Sequence, residues 1–141
     1  MRLNQCPLHG PDERPDYLVG RRLERVVTAW HLHDGDTRSG PLDVWLTDSA
    51  GVSTHITTGS DWCLIAEIST PYEAYDMGQG GRVEVPPANG ETPFAEHLGE
   101  TILAVGEAGA PAMGRLALEI TFSSGSVRCE SWAGDLRLSA K

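Results

Sequence analysis

The chain repeats itself, and this limits its possible folds more than any other feature. Leu42-Asp-Val-Trp-Leu-Thr-Asp-Ser-Ala-Gly51 overlays Leu116-Ala-Leu-Glu-Ile-Thr-Phe-Ser-Ser-Gly125 without a gap, at an offset of 74 residues. Continuing at that offset sets Asp61 and Leu64 against Asp135 and Leu138. Upstream, Gly20-Arg-Arg-Leu23-Glu-Arg-Val26 matches Gly99-Glu-Thr-Ile102-Leu-Ala-Val105 at an offset of 79, so the first unit is five residues longer in the loop between. Each unit reads Gly-x-x-(Leu/Ile)-x-x-Val, a strand, a Gly turn, a second strand, an Asp and a last strand.

Leu42, Val44 and Leu46 alternate with Asp43, Trp45 and Thr47, and Leu116, Leu118, Ile120 and Phe122 alternate with Ala117, Glu119 and Thr121. Period two marks a half-buried strand, and the Ser-Ala-Gly and Ser-Ser-Gly that follow tolerate the positive φ of a hairpin turn. The returning strands, 52–58 and 126–132, fall out of phase, with Ile56 opposite Glu130, which a bulge in one copy would explain. Leu23, Val26, Val27 and Trp30 also fit a helical face. Their counterparts run into Gly106, Gly109 and Pro111, where a helix would break, so both segments are read as strands.

The expected fold is mainly β: a β-sandwich or flattened barrel of about eight strands, built from two repeated four-stranded units related by an approximate two-fold. Its divisions are an irregular arm over 1–16, unit one over 17–69, a connector over 70–95 and unit two over 96–141, forming a single domain of ordinary size. The connector holds Gly78-Gln-Gly-Gly81 and carries at most short helices, one at the capping box Thr70-Pro71-Tyr72-Glu73 and another turn at Thr92-Pro93.

Composition excludes several functions. Ten of the eleven basic residues are Arg and the only lysine is Lys141, so a Walker loop, a Schiff-base site and a Ser-Lys dyad all lack their positioned lysine. A net charge of −9 argues against nucleic acid and leaves a basic protein partner open. No apolar run is long enough for a membrane span or a secretory signal, and a cytoplasmic protein is expected. Cys6, Cys63 and Cys129 are widely scattered and are read as reduced thiols, Cys63 and Cys129 buried and inert.

The strongest candidate for chemistry is His31-Leu32-His33-Asp34-Gly35-Asp36, since His-x-His on a strand projects both imidazoles from one face. Only His55 or Asp61 offers itself as a third ligand. Because 31–40 is extra material in the longer unit, a polar loop is the simpler reading, and neither a metal nor a cofactor is expected. Asp61 and Asp135 recur in both units at turns, where Asp bonds its own backbone. Trp45, Trp62 and Trp132 are read as core or interface aromatics, and Trp30 and Tyr17 could line a pocket. The residues assigned to ligand or partner contact are His31, His33, Asp34, Asp36, His55 and Trp45.

The units resemble small bacterial β domains of uncharacterised function, some of them thought to lie near toxin systems. The resemblance covers most of 18–68 and 97–140 and names no catalytic residue. With the acidic charge, it leads to an expected non-enzymatic protein-binding module, an immunity-like role being one form. The alternative is a small-molecule-binding barrel or a cofactor-free cyclase or isomerase with its pocket near His31 and His33. A homodimer through Trp45 or an edge strand is a third arrangement.

Overall fold

The computed structural model describes residues 5–6, 10–11, 15–32, 38–58, 63–71, 75–76, 82–84, 92–110, 114–132 and 135–140. The first unit supplies β3 (Leu23–Leu32), β4 (Arg38–Asp48), β5 (Ser53–Thr58) and β6 (Leu64–Ile68), after a 3-10 turn at Pro15–Leu18. The second supplies β9 (Ala104–Ala110), β10 (Gly114–Phe122), β11 (Gly125–Trp132) and β12 (Asp135–Ala140), after a 3-10 turn at Pro93–His97. Each set forms an antiparallel meander, and the two sheets face each other without closing into a barrel.

Among the described residues two short hairpins accompany these sheets. In the arm, β1 (Gln5–Cys6) pairs with β2 (Gly10–Pro11). In the connector, β7 (Tyr75–Asp76) pairs with β8 (Arg82–Glu84), and β8 also pairs with β3, extending the first sheet to six strands. This hairpin was not foreseen. Thr92-Pro93 does open the expected 3-10 turn, while 72–74 of the proposed capping box lie outside the described residues. Part of the stretch read as a polar loop is strand, because β3 runs on to Leu32 and β4 begins at Arg38.

The repeat survives in detail. Gly20 donates its N–H to the Ile102 carbonyl at 2.8 Å, and Gly99, its counterpart, donates to Leu23 at 2.7 Å. Ile102 donates to Arg21 and Leu23 to Glu100, and an isolated bridge pairs Arg22 with Thr101 on the approximate axis. Both glycines hold positive φ, +89° and +85°, a conformation costly for a residue with a Cβ. These reciprocal bonds satisfy the backbone where the units meet.

Register also explains the phase shift in the returning strands. Thr47 pairs with Ser53 across a five-residue turn, whereas Thr121 pairs with Ser126 across a four-residue one. The extra residue lies in the turn rather than in a bulge. Beyond it Ile56 becomes the counterpart of Cys129, and both are buried in the core. The shared hydroxyl pairs confirm the correspondence: Thr47 Oγ1 to Ser53 Oγ is 2.8 Å and Thr121 Oγ1 to Ser126 Oγ is 3.0 Å.

The facing surfaces bury Val26, Val44, Leu46, Ile56 and Leu64 against Ile102, Leu118, Ile120, Val127 and Leu136. Where unit two places Phe122, between His97 (rings stacked at 4.5 Å) and Phe94 (edge-on at 6.4 Å), unit one places Asp48. Asp48 accepts Arg21 Nη1 at 2.7 Å and the N–H groups of Ala50 and Val52, an Asx turn that closes the longer hairpin. Burial pushes its carboxyl up, but Arg21 and the two N–H groups outweigh this and hold it below the ordinary value.

Candidate functional site

The outward faces of the two sheets carry equivalent rows of residues. In unit one the pairing runs Val27, Trp45, His55, Glu67 across β3 to β6. In unit two it runs Gly106, Glu119, Arg128, Ser139 across β9 to β12. Duplication has therefore built the same place twice and filled it differently.

The first row brings together Trp45 and His55, both named from the sequence. Their rings stack 4.7 Å apart and 9° from parallel. His55 Nε2 lies 2.7 Å from Asp43 Oδ1, and Nδ1 lies 3.6 Å from Glu67 Oε1. A carboxylate on one nitrogen fixes the ring's orientation, as in many catalytic His-Asp pairs. Catalysis also needs a nucleophile and access, however. Thr57, the hydroxyl beside Asp43, donates to the Leu42 carbonyl at 2.9 Å, and Trp45 is 0% exposed. Among the described residues no group of three His, Cys, Asp or Glu could hold a metal. The row is a polar cluster on a buried tryptophan, with His55 partly buried and Glu67 39% exposed.

The second row is open. Ala104, Gly106 and Ala108 on β9, with Ala117, Glu119 and Thr121 on β10 and Arg128 on β11, line a furrow of about 380 Å3. A Cβ built on Gly106 meets nothing within 4 Å and its φ is not positive, so neither backbone nor packing requires glycine there. Beside the furrow, β9 pairs among the described residues with β10 alone, whereas its counterpart β3 pairs with β4 and, over Trp30 to Leu32, with β8. An open edge presents unpaired backbone donors and acceptors to an incoming strand. At the start of β9, Leu103 is 55% exposed and Val19 48%, held near each other by the bond from Gly20 to Ile102.

His31 takes part in β3, its backbone paired with Ser39 and Val83. His33, Asp34 and Asp36 lie outside the described residues, as do Asp61 and Trp62. Trp132 is exposed, with the Arg137 guanidinium 4.7 Å above its ring.

One expectation is corrected: Cys63, read as a reduced thiol, is disulfide-bonded. Spacing along the chain cannot reveal which segments meet in space. Cys129 is free and buried, and burial pushes its thiol up to about 12.

The sequence reading missed Asp43, Glu67, Glu119 and Arg128. Asp43 and Glu119 were legible, since alternation puts Asp43 on the face of Trp45 and the 74-residue offset pairs Trp45 with Glu119. Glu67 and Arg128 need the turn lengths as well. Comparison with protein-family models, with curated proteins and with solved structures found no match.

Proposed function

We propose that the protein is a non-enzymatic binding module that takes an extended segment of a partner protein along β9. An immunity-like role is one concrete form. The carrying observation is that, among the described residues, β9 pairs on one side only, with β10, and lies beside an open furrow. Strand addition draws affinity from main-chain bonds and specificity from side chains on alternate positions, and the furrow supplies a place for the latter. The exposed Leu103 and Val19 extend the surface with apolar contact.

Among the described residues no helix is long and apolar enough to cross a membrane. The disulfide at Cys63 supports an oxidising compartment in place of the cytoplasm expected from sequence. Among the described residues the furrow lies on unit two, which supports strand addition ahead of a small-molecule pocket near His31 and His33.

Cross-linking with mass spectrometry on partners copurified at low salt tests the function. Cross-links from partner chains should fall on the segment flanking β9, with amide protection over 104–109. A partner mapping to another face, or none retained at low salt, refutes it.

A further inference from the structure

The bond at Cys63 needs a second cysteine. The chain has three, Cys6, Cys63 and Cys129, and Cys129 is free. Within one chain that leaves Cys6, the last residue of β1 in the arm.

Burial at Cys63 calls for a neighbour from the same quarter. Ile56 pairs with Ala66, and its counterpart Cys129 pairs with Leu138, so Cys63 and Ile65 occupy the places of Asp135 and Arg137. Ala66 and Leu138 face the core, which turns all four of these residues outward. In unit two Asp135 and Arg137 are exposed, as the outer face of an antiparallel sheet commonly is. In unit one Cys63 is 0% exposed and Ile65 5%, and the two form a small apolar cluster apart from the core between the sheets. Residues along one open face do not shield one another completely, so a segment outside the two meanders covers this place.

The arm is placed for it. β1 lies against β10, and β10 reaches β6 through Arg115, whose Nη1 donates to the carbonyl of Leu64, next to Cys63, at 3.1 Å. An isolated two-stranded hairpin is marginal in water, and β1 and β2 have two residues each. Such a hairpin needs an attachment.

We infer that Cys6 and Cys63 form the disulfide and that it fastens the hairpin of the arm to the outward side of β6. On closure the two thiols give up two protons and two electrons to a disulfide oxidant, which leaves as two thiols. The loop so closed takes in β3, β4 and β5, tying the start of the chain to the last strand of unit one.

Peptide mapping of the full chain, alkylated in denaturant and cut by trypsin without reductant, tests the pairing. Peptide 3–21, in which Arg14 precedes Pro15 and is not cut, should appear joined to 39–82, with alkylated Cys129 alone in 129–137. Cys63 joined to Cys129, to a small thiol or to a second chain overturns it. Cys6→Ser tests the fastening, because Cys63 becomes a free thiol. An aromatic disulfide reagent at pH 8 should label Cys63 in the native variant about tenfold or more faster than Cys129, and the melting temperature should fall by roughly 10 °C. Native reduction of the unsubstituted protein with a water-soluble phosphine gives the same readout without a substitution: Cys63 should label and Cys129 should not. Cys63 as slow as Cys129 in either case shows the cover held without the bond and overturns the fastening.

Discussion

Among the described residues Arg115 is the most deeply buried charge, and removing each partner of its ion pair with Glu107 should have unequal effects. Its side chain is 0% exposed at the start of β10. Nε donates to Glu107 Oε1 at 2.8 Å, and Nη1 donates to the Leu64 carbonyl at 3.1 Å. The guanidinium thus ties β9 and β10 to β6 in the opposite sheet. Glu107, by contrast, is 28% exposed. Glu107→Ala leaves a wholly buried cation without its carboxylate, a change that typically costs about 3–5 kcal/mol. Arg115→Met removes the cation, keeps the length of the side chain and lets Glu107 hydrate. The cost includes the lost bond at the Leu64 carbonyl, about 1–3 kcal/mol. Glu107→Ala should therefore be worse by about 2 kcal/mol, and the double variant should recover part of that loss. Urea unfolding of the three variants, with unchanged m, measures this. Equal effects, or Arg115→Met the more damaging, would refute the claim that desolvation of the guanidinium dominates.

Burial separates two tryptophans: Trp45→Ala should cost about 3–5 kcal/mol and Trp132→Ala, at 55% exposure, within about 0.5, read by the same melts. The depressed Asp48 carboxyl contributes stability above its unfolded value near 4 that is lost as pH falls through and below it, so Asp48→Asn should flatten the acid limb of stability against pH below about 4. An unchanged acid limb would mean that Arg21 and the turn amides do not hold that carboxylate. Native Cys129 should resist an aromatic disulfide reagent at pH 8; in denaturant without reductant, Cys129 should label and Cys63 should not. Adding reductant should lower the melting temperature through loss of the Cys63 bond, typically worth about 2–4 kcal/mol.

The architecture was legible because the repeat constrains it twice over. Leu46 and Ile120 alternate with the same partners, and Gly20 and Gly99 mark the same junction, so ambiguity in one copy is settled by glycine and proline in the other. What escaped was whatever depends on one residue of register or on contact across the fold. The extra residue between Thr47 and Ser53 reverses every assignment on β5 relative to a gapless alignment, hiding the match of His55 with Arg128. The strands β7 and β8, two and three residues long in a glycine-rich connector, carry no periodicity to detect. Features unique to one copy drew attention to 31–40, whereas the distinctive place is a shared row, buried with Trp45 in one unit and left open at Gly106 in the other.

Amide hydrogen exchange on the isolated protein, resolved residue by residue, compares β3 with β9 directly. Trp30 to Leu32 should exchange slowly at consecutive positions, because both edges of β3 are bonded there. In β9, amides at every second residue from 104 to 109 should exchange at rates near those of exposed backbone. Uniform protection along β9, equal to that of Trp30 to Leu32, would show its outer edge already closed and would contradict the account.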